Sequence, residues 1–330
     1  MATHLSSLGY TVVIQKFNFS PASLRAFPIF GAGLGGLALI LLPFLGSPKL
    51  PEWSALAVWM TGLLALGIIA AGIGLGWVSL GEPAREDANL IATRGSVRPQ
   101  RWIVAHLDSK AQGHSMAGRL VAVWVSTVAI AVLTILALVR LAGPISPWWL
   151  ALGAALALAA GILAGGGRLA GKSLGARDNG TGMVAALTAA ESTSDPRVGI
   201  LITSAEEFGL VGARVFARLT PNLQEAEFVN LDTLDQEGRL FIVSHDSIGA
   251  RFARDLEPTL GDVRLPVRRR RLPLGIFVDS APLAKTRARS VTIGRLTWNT
   301  LRRIHTPADT PEGLSLETAE RVGRAVARIN

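Results

Sequence analysis

The sequence predicts an α/β domain that is interrupted by four membrane-spanning helices. The chain of 330 residues is 49% hydrophobic and only 17% charged, which is too apolar for an ordinary soluble protein. Its polar parts alternate between short apolar runs of strand length and segments with helical spacing. These two observations exclude a purely soluble protein and predict one polar domain with membrane helices inserted into it.

The apolar excess is concentrated in four stretches that are nearly free of charge. They are Ala26 to Ser47, Trp53 to Gly81, Leu120 to Val139 and Trp148 to Gly167. Each is long enough to cross a bilayer, since about 20 apolar residues span about 30 Å of hydrocarbon. A buried core helix would explain one such stretch, but four together, with tryptophans near their ends, favour membrane helices. We expect two hairpins, residues 26–81 and 120–167.

Because each hairpin leaves and returns on the same side of the membrane, the three polar blocks face the same compartment. These blocks are residues 1–25, 82–119 and 168–330, and roughly 240 residues remain outside the apolar stretches, enough for one α/β core. The sequence therefore predicts one discontinuous domain built from all three blocks.

Positive charge is unevenly divided between the two ends of the predicted spans. The side of the polar blocks carries Lys16, Arg25, Arg85, Arg94, Lys110, Arg119, Arg168, Lys172 and Arg177. The opposite short loops carry only Lys49 and Arg140. Cytoplasmic loops are enriched in Lys and Arg, so we expect the polar domain in the cytoplasm and the chain as a multi-pass integral membrane protein.

The net charge of +9 does not by itself indicate nucleic acid. No zinc-finger or helix-turn-helix pattern accompanies it, so we expect no nucleic-acid partner. The one dense basic run, Arg268 to Arg271, fits a solvated loop or a contact with anionic lipid heads equally well. The chain has no cysteine, so any metal must be held by histidine and carboxylate.

The polar blocks contain alternating strand and helix patterns. Predicted strands are Thr11 to Phe17, Asn89 to Thr93, Trp102 to His106, Gly199 to Thr203, Glu227 to Leu231, Leu240 to Val243 and Ser290 to Ile293. Predicted helices are Gly182 to Glu191, Gly209 to Leu219, Ile248 to Leu256 and Ser315 to Ile329. This is the pattern of an α/β sandwich.

Polar residues follow these apolar runs or precede helices in five places. The candidates are His106 and Asp108, Asp178, Glu206 and Glu207, Asp232, and His305. Functional residues gather at the carboxyl ends of strands in such folds. Imidazole and carboxylate oxygen suit zinc, and a carboxylate can bridge two metals about 3.5–4 Å apart. Together these residues could hold a pair of divalent cations.

Each of the five elements alone is more typical of a surface pair, a helix start or a turn, and their order is what favours a functional site. The succession HLD, GARDNGTG, TSAEEFGLVGAR, FVNLD and HTPADT resembles the M28 family of co-catalytic zinc aminopeptidases. The resemblance covers essentially all polar blocks. It implies a three-layer α/β/α sandwich with a mixed, mainly parallel sheet.

The resemblance also implies roles for individual residues. His106, Asp178 and Asp232 would hold one zinc, and Asp178, Glu207 and His305 would hold the other. Glu206 matches the general base. Asp108 matches the carboxylate that fixes the tautomer of His106 through its far nitrogen. Asn179, Gly180 and Gly182 match the tight turn behind the bridging Asp178.

The chain departs from the family pattern where the membrane spans enter. His106 and Asp178 lie 72 positions apart, and two spans fill this gap, where relatives have a short soluble segment. Only Ala2 to Leu8 stand in for the longer helix that precedes the first strand in relatives. Asp279 could serve the substrate pocket or support the fold. Asp309 could support His305, although capping of the final helix is favoured.

The predicted function is a membrane-anchored metallopeptidase with two zinc ions per chain, most consistent with an aminopeptidase that hydrolyses peptides. Its expected partners are the peptide substrate and the lipid bilayer. Two alternatives stay open, namely a glutaminyl cyclase-like acyltransferase with a single zinc, and a non-catalytic binding module that has lost its metals. The number of metal ions per chain separates all three.

Overall fold

The computed structural model of the chain describes residues 1–74, 77–78, 84–273 and 275–328. The chain divides into two compact units. The sheet unit comprises Met1–Phe19, Ala84–Ala111 and Lys172–Asn330, and the helical unit comprises Ser20–Pro83 and Gln112–Gly171. Residues 75, 76 and 79–81 of the predicted second span, residues 82 and 83 of the second polar block, and residues 274, 329 and 330 of the third lie outside the described residues.

Within the described residues, eight strands form one sheet. They are β1 (Thr11–Phe19), β2 (Arg85–Thr93), β3 (Arg101–His106), β4 (Val198–Thr203), β5 (Glu227–Leu234), β6 (Arg239–Ser244), β7 (Val267–Arg271) and β8 (Arg289–Leu296). Their order across the sheet is β1-β2-β4-β3-β5-β8-β6-β7. The pairs β4–β3, β3–β5, β5–β8 and β6–β7 are parallel, and the other three pairs are antiparallel. The sheet is therefore mixed, with parallel pairs in the majority.

The helices described fall into two groups by unit. In chain order they are α1 (Ala2–Ser7), α2 (Ala26–Gly46), α3 (Ser54–Gly74), α4 (Met116–Val139), α5 (Pro147–Gly165), α6 (Thr181–Ser192), α7 (Val211–Leu219), α8 (Ser247–Leu256), α9 (Ser280–Ala284), α10 (Trp298–Arg303) and α11 (Glu317–Val326). Helices α2 to α5 belong to the helical unit, and the others belong to the sheet unit.

The sheet unit is a three-layer sandwich because its central strands are apolar on both faces. Successive side chains of a strand point to opposite faces, and in β3 Ile103 packs into the core beneath α6, α8 and α11. Its neighbour Trp102 packs into the opposite core with Phe216 of α7 and Leu283 of α9. The α/β/α prediction is confirmed.

Every predicted strand lies within an observed one, but one observed strand was not predicted. The run Arg268 to Arg271 forms most of β7 at the edge of the sheet, where it pairs with β6 from Leu240↔Val267 to Ser244↔Arg271. The backbone of this run is a strand, so the prediction of a loop is wrong, although the four arginine side chains are exposed. Charged side chains are common on edge strands because they discourage pairing with another chain.

The helical unit contains four helices, among the described residues, that are long and apolar enough to cross a membrane. Their bounds are Pro21–Gly46, Ser54–Gly74, Met116–Ala142 and Pro147–Gly165. Small residues bring α2 and α5 close together: a Cβ atom added to Gly31 would lie 2.2 Å from the Cβ of Ala164. Close approach at small residues is typical of helix packing in membranes.

Candidate metal centre

The candidate ligands come together because three parallel strands end at the same edge of the sheet. His106 is the last residue of β3, Glu206 and Glu207 follow β4, and Asp232 lies near the end of β5. These strands are neighbours in the order β4-β3-β5. Carboxyl ends of parallel strands therefore place four of the predicted site residues side by side.

Asp178 reaches this edge through the turn that precedes α6. The Asn179 side chain fixes the turn: it donates to the carbonyl of Leu231 at 2.9 Å and accepts from the backbone N–H of Gly182 and Thr233 at 3.1 and 3.2 Å. A Cβ atom at Gly182 would lie 2.1 Å from Asn179 Oδ1, so only glycine fits there. The turn thus ties Asp178 to the end of β5.

The opposite side of the Asp178 turn is held by Asp309. Its carboxylate accepts hydrogen bonds from the backbone N–H groups of Arg177 and Asp178 at 2.8 and 3.2 Å. Neither expected role of Asp309 is observed. His305 Nδ1 has no hydrogen-bond partner, and α11 begins eight positions later at Glu317 without a side-chain cap. Asp309 instead anchors the backbone of the residue predicted to bridge two metals.

The predicted ligands form two triads of buried or half-buried groups that share Asp178. In each triad the ligand atoms lie within 4.8 Å of one another. We name His106, Asp178 and Asp232 site A, and Asp178, Glu207 and His305 site B. Asp178 Oδ1 lies 3.2 Å from His106 Nε2, and Asp178 Oδ2 lies 3.3 Å from His305 Nε2. One carboxylate therefore presents one oxygen to each site.

The remaining ligand contacts complete the two sites. Asp232 Oδ1 lies 4.0 Å from His106 Nε2 in site A, and Glu207 Oε1 lies 3.3 Å from His305 Nε2 in site B. Glu207 Oε1 is buried and has no hydrogen-bond partner in the structure. A buried carboxylate oxygen without a donor is costly, and a bound cation would satisfy it. Each donor set, one imidazole and two carboxylates, suits a divalent cation such as zinc.

The match to a sequence family covers the second half of the chain. The family described as "Peptidase family M28" matches residues 152–329, which is more than half of the 330 residues. This chain belongs to the M28 peptidase family. The match begins within α5, so β1, β2 and β3, which ends at His106, lie before it.

Solved structures with the same fold include peptidases and cyclases. Fimbriiglobus ruber glutaminyl cyclase has a TM-score of 0.53 at 14% identity, covering 99% of this chain and 83% of that one. An aminopeptidase from Aneurinibacillus sp. strain AM-1 has a TM-score of 0.51 at 14% identity, covering 98% and 84%. BSAP, a zinc aminopeptidase from Bacillus subtilis, has a TM-score of 0.45 at 17% identity, covering 74% and 50%, so this chain spans half of its length. A comparison with curated protein sequences found no significant match.

Electrostatics at the M28 site indicate more negative charge than the protein alone neutralises. Burial would lower the pKa of His106, but Glu206, Asp178 and Asp232 raise it well above its ordinary 6.5. Burial and the nearby Asp178 charge raise the pKa of Asp232 to about 6. For Asp178, hydrogen bonds to the two imidazoles outweigh burial and lower the pKa. Cations bound between these groups would relieve the repulsion among the carboxylates.

Glu206 and Glu207 point to different surroundings although they are adjacent. Burial, together with repulsion from Glu207, Asp279 and Asp232, raises the pKa of Glu206 well above its ordinary 4.5. In contrast, attraction to His305 and Lys110 outweighs burial and lowers the pKa of Glu207 to about 2. Glu206 is therefore the carboxylate suited to taking up a proton, and Glu207 the one suited to staying ionised.

Asp108 supports the site differently from the expectation. The nearest partner of His106 Nδ1 is the backbone carbonyl of Asp108 at 3.0 Å, while the Asp108 carboxylate stays 3.8 Å away. The carboxylate accepts instead from the backbone N–H groups of Glu206 and Glu207 at 3.0 and 3.1 Å. Asp108 thus fixes the imidazole through its main chain and the two glutamates through its side chain.

Two neighbours of the site involve residues to which the sequence assigned no definite role. Lys110 Nζ lies 2.6 Å from Glu207 Oε2, and both side chains are buried. Asp279, whose role was left open, is fully buried, accepts a hydrogen bond from Thr203 Oγ1, and has its pKa raised by burial to about 7. No motif marks Lys110, whose only signal is its position four residues after His106.

Proposed function

We propose that this M28 chain is a membrane-anchored metallopeptidase that holds two zinc ions and acts as an aminopeptidase. The observation that carries the proposal is the pair of sites around Asp178, in which one carboxylate presents an oxygen to each of two complete donor sets. The M28 family and the donor sets of imidazole and carboxylate support zinc as the metal. Zinc at site A would be held by His106, Asp178 and Asp232, and zinc at site B by Asp178, Glu207 and His305.

Two bound zinc ions would supply Lewis acidity, polarising a peptide carbonyl and making a nearby water more acidic. The chain's own residues then have distinct duties. Glu206 accepts the proton of the attacking water and delivers it to the amine that leaves, a role suited to its raised pKa. Asp108 keeps Glu206 and Glu207 in place through their backbone N–H groups.

Aminopeptidase action is supported by the carboxylates that surround the ligand sets. Glu206 and Asp279 are buried beside site A and do not belong to either triad. Such acidic surroundings attract the positive charge of a substrate with a free α-ammonium group, whereas an acylated amino terminus has no charge to attract. We therefore propose unblocked peptides as the substrate class.

Membrane anchoring is supported by the outer surface of the helical unit. Leu64, Ile68 and Ile162 are 65%, 63% and 78% exposed, which would be costly in water but favourable in lipid. Trp148 is 84% exposed at the start of α5, as expected for an indole at the headgroup level. The exposed apolar surface supports anchoring, and the uneven positive charge described above supports a sheet unit on the cytoplasmic side.

The experiment that tests the function measures metal content and peptide cleavage together. Purified full-length protein in detergent, equilibrated with saturating Zn²⁺, should bind two zinc ions per chain by elemental analysis. It should cleave peptides with a free amino terminus at least tenfold faster than the same peptides acetylated. One ion per chain with conversion of glutaminyl peptides to pyroglutamyl peptides would instead establish the cyclase alternative. Absence of both metal and turnover would establish the binding module.

The topology is tested with reporters at two positions. A reporter fused after Asn330 should be cytoplasmic, and one inserted in the loop of residues 48–52 should be outside. The reverse pattern would overturn the location without affecting the chemistry.

A further inference from the structure

Sites A and B share Asp178 but differ in the charges outside their ligand sets. Asp279 is fully buried and interacts electrostatically with His106 and Asp232, the two unshared ligands of site A. Glu206 interacts with the same two ligands and also with Glu207 of site B, so it does not distinguish the sites. A cation held at site A therefore has the additional acidic group of Asp279 close to its ligands, and this group attracts it.

Site B has a cation of the protein itself beside it. Lys110 is only 6% exposed, and its Nζ lies 2.6 Å from Glu207 Oε2 and 3.3 Å from the Glu207 carbonyl oxygen, to which it donates. Lys110 also interacts electrostatically with His305, the other unshared ligand of site B. Nothing comparable is found for site A among the described residues, where no lysine or arginine forms an ion pair with His106 or Asp232 ligand atoms.

The Lys110 contact also divides the two oxygens of Glu207. Oε2 is engaged by the ammonium, whereas Oε1 faces His305 Nε2 at 3.3 Å and has no hydrogen-bond partner. Glu207 can thus offer a metal one oxygen and not two, and that oxygen belongs to a carboxylate whose charge Lys110 already partly neutralises. Both effects weaken the hold of site B on a divalent cation.

We propose that Lys110 makes the two metal sites unequal, with site A binding its ion tightly and site B binding its ion weakly and reversibly. This inference rests on the proposed two-metal function and adds a property to it. An enzyme of this kind keeps one ion permanently and gains the second only when free metal is available, so its activity follows the free metal concentration.

The wild-type protein tests the assignment of the sites. Full-length protein in detergent is stripped with a chelator and titrated with Zn²⁺ by calorimetry. We expect two binding events with dissociation constants that differ at least tenfold. Asp232→Ala should abolish the tight event and His305→Ala the weak one. Loss of the weak event in Asp232→Ala would overturn the proposal.

Lys110→Met tests the cause. The variant should tighten the weak event at least tenfold and leave the tight event unchanged, whereas the exposed Lys172→Met should change neither. A gain in affinity is informative because a damaged fold would weaken binding. If Lys110→Met leaves the weak binding event unchanged or weakens it further, the role of Lys110 is overturned. If Lys110→Met does not fold, Asp232→Ala and His305→Ala still decide which site binds zinc more tightly. Two equal events in the wild type would overturn the inequality alone, whereas no Zn²⁺ binding at all would overturn the proposed function.

Discussion

Both units of the chain bury charged side chains, but they satisfy them in different ways. In the sheet unit the carboxylates at the site lie against one another, so that the pKa values of Asp232, Glu206 and Asp279 are all raised. In the helical unit Arg140 is the one buried charged side chain among the described residues, and it donates to three backbone carbonyls. The first arrangement needs a cation to complete it, and the second is complete already.

The difference separates function from support. Crowded like charges cost stability and persist where a site needs them, whereas a fully hydrogen-bonded charge holds two segments together. Substitutions at the site should therefore change metal binding and catalysis, and substitutions at Arg140 should change stability alone. Four predictions test this comparison, in order of decreasing effect.

The largest effect is expected for the shared ligand. Asp178→Ala removes an oxygen from both sites, so zinc content should fall from two ions per chain to nearly none, and peptide cleavage should be lost. Asp232→Ala is the matched variant, because it removes a ligand from site A only and should leave one ion at saturating zinc. Elemental analysis after equilibrium dialysis against saturating Zn²⁺, with the zinc of the dialysis buffer subtracted, measures both. Retention of one ion in Asp178→Ala would show that the sites do not share this residue.

The next effect separates proton transfer from metal binding. Glu206→Gln keeps the size of the side chain but removes the group that accepts the water proton, so kcat should fall by about 10²- to 10⁴-fold. Zinc content should stay normal, because Glu206 belongs to neither triad. Glu207→Gln should instead weaken site B and lower the rate. If Glu206→Gln cleaves peptides at the wild-type rate, the roles of the two glutamates are reversed or the peptidase hypothesis fails.

The close approach of the candidate ligands could be predicted from the sequence for a simple physical reason. Buried parallel strands are continuous apolar runs, and the polar residue that ends each run must lie at the edge of the sheet. His106, Glu207 and Asp232 could be located in this way from sequence, and Asp178 from its turn. The family resemblance then supplied their pairing into two sites.

The sequence indicated Asp108 and the Asn179 turn as supports of the site, but not the contacts of Lys110 and Asp309, because their partners are far away along the chain. Lys110 lies 97 positions from Glu207, and the Arg177 backbone lies 132 positions from Asp309. Lys110 and Arg177 were counted as free positive charges near the membrane, yet both are buried and form ion pairs with carboxylates. The sequence analysis missed β7 because a run of four arginines shows no alternation of apolar and polar residues. The run is a strand only because it pairs with the edge of β6.

A smaller effect concerns stability at the site and has a definite pH dependence. In the metal-free protein the folded pKa of Asp279 is about 7 and its ordinary value is 3.8. Between these pH values the folded state binds more protons than the unfolded state, so the free energy of unfolding falls as the pH rises and stays lower above about 7. Asp279→Asn, which cannot ionise, should therefore be more stable than the wild type at pH 8, by at most about 4 kcal/mol.

This gain should shrink at pH 5 and vanish below pH 4, where both side chains are neutral. Thermal melting of chelator-treated protein across this range measures it. The exposed Glu237→Gln is the control and should give no such pH-dependent gain. A gain that is equal at pH 5 and pH 8 would mean that Asp279 is not held as a buried acid.

The smallest effect isolates the helical unit. Arg140 donates from Nε to Phe44 O at 3.1 Å and from Nη2 to Ser47 O and Leu50 O at 2.8 and 2.9 Å, so it ties the end of α4 to the last turn of α2 and to the connection that follows it. Arg140→Met keeps much of the apolar stem but leaves these carbonyls without their donors, which should lower stability by about 1–3 kcal/mol. Denaturation by SDS, monitored by the loss of helical signal, measures the change.

Lys49→Met, at an exposed position in the same connection, is the matched control and should unfold like the wild type. Zinc content of the folded Arg140→Met protein should remain that of the wild type, because the candidate metal ligands lie in the sheet unit. An Arg140→Met protein that unfolds like the wild type but loses zinc would contradict the assignment of stability to the helical unit and of metal binding to the sheet unit.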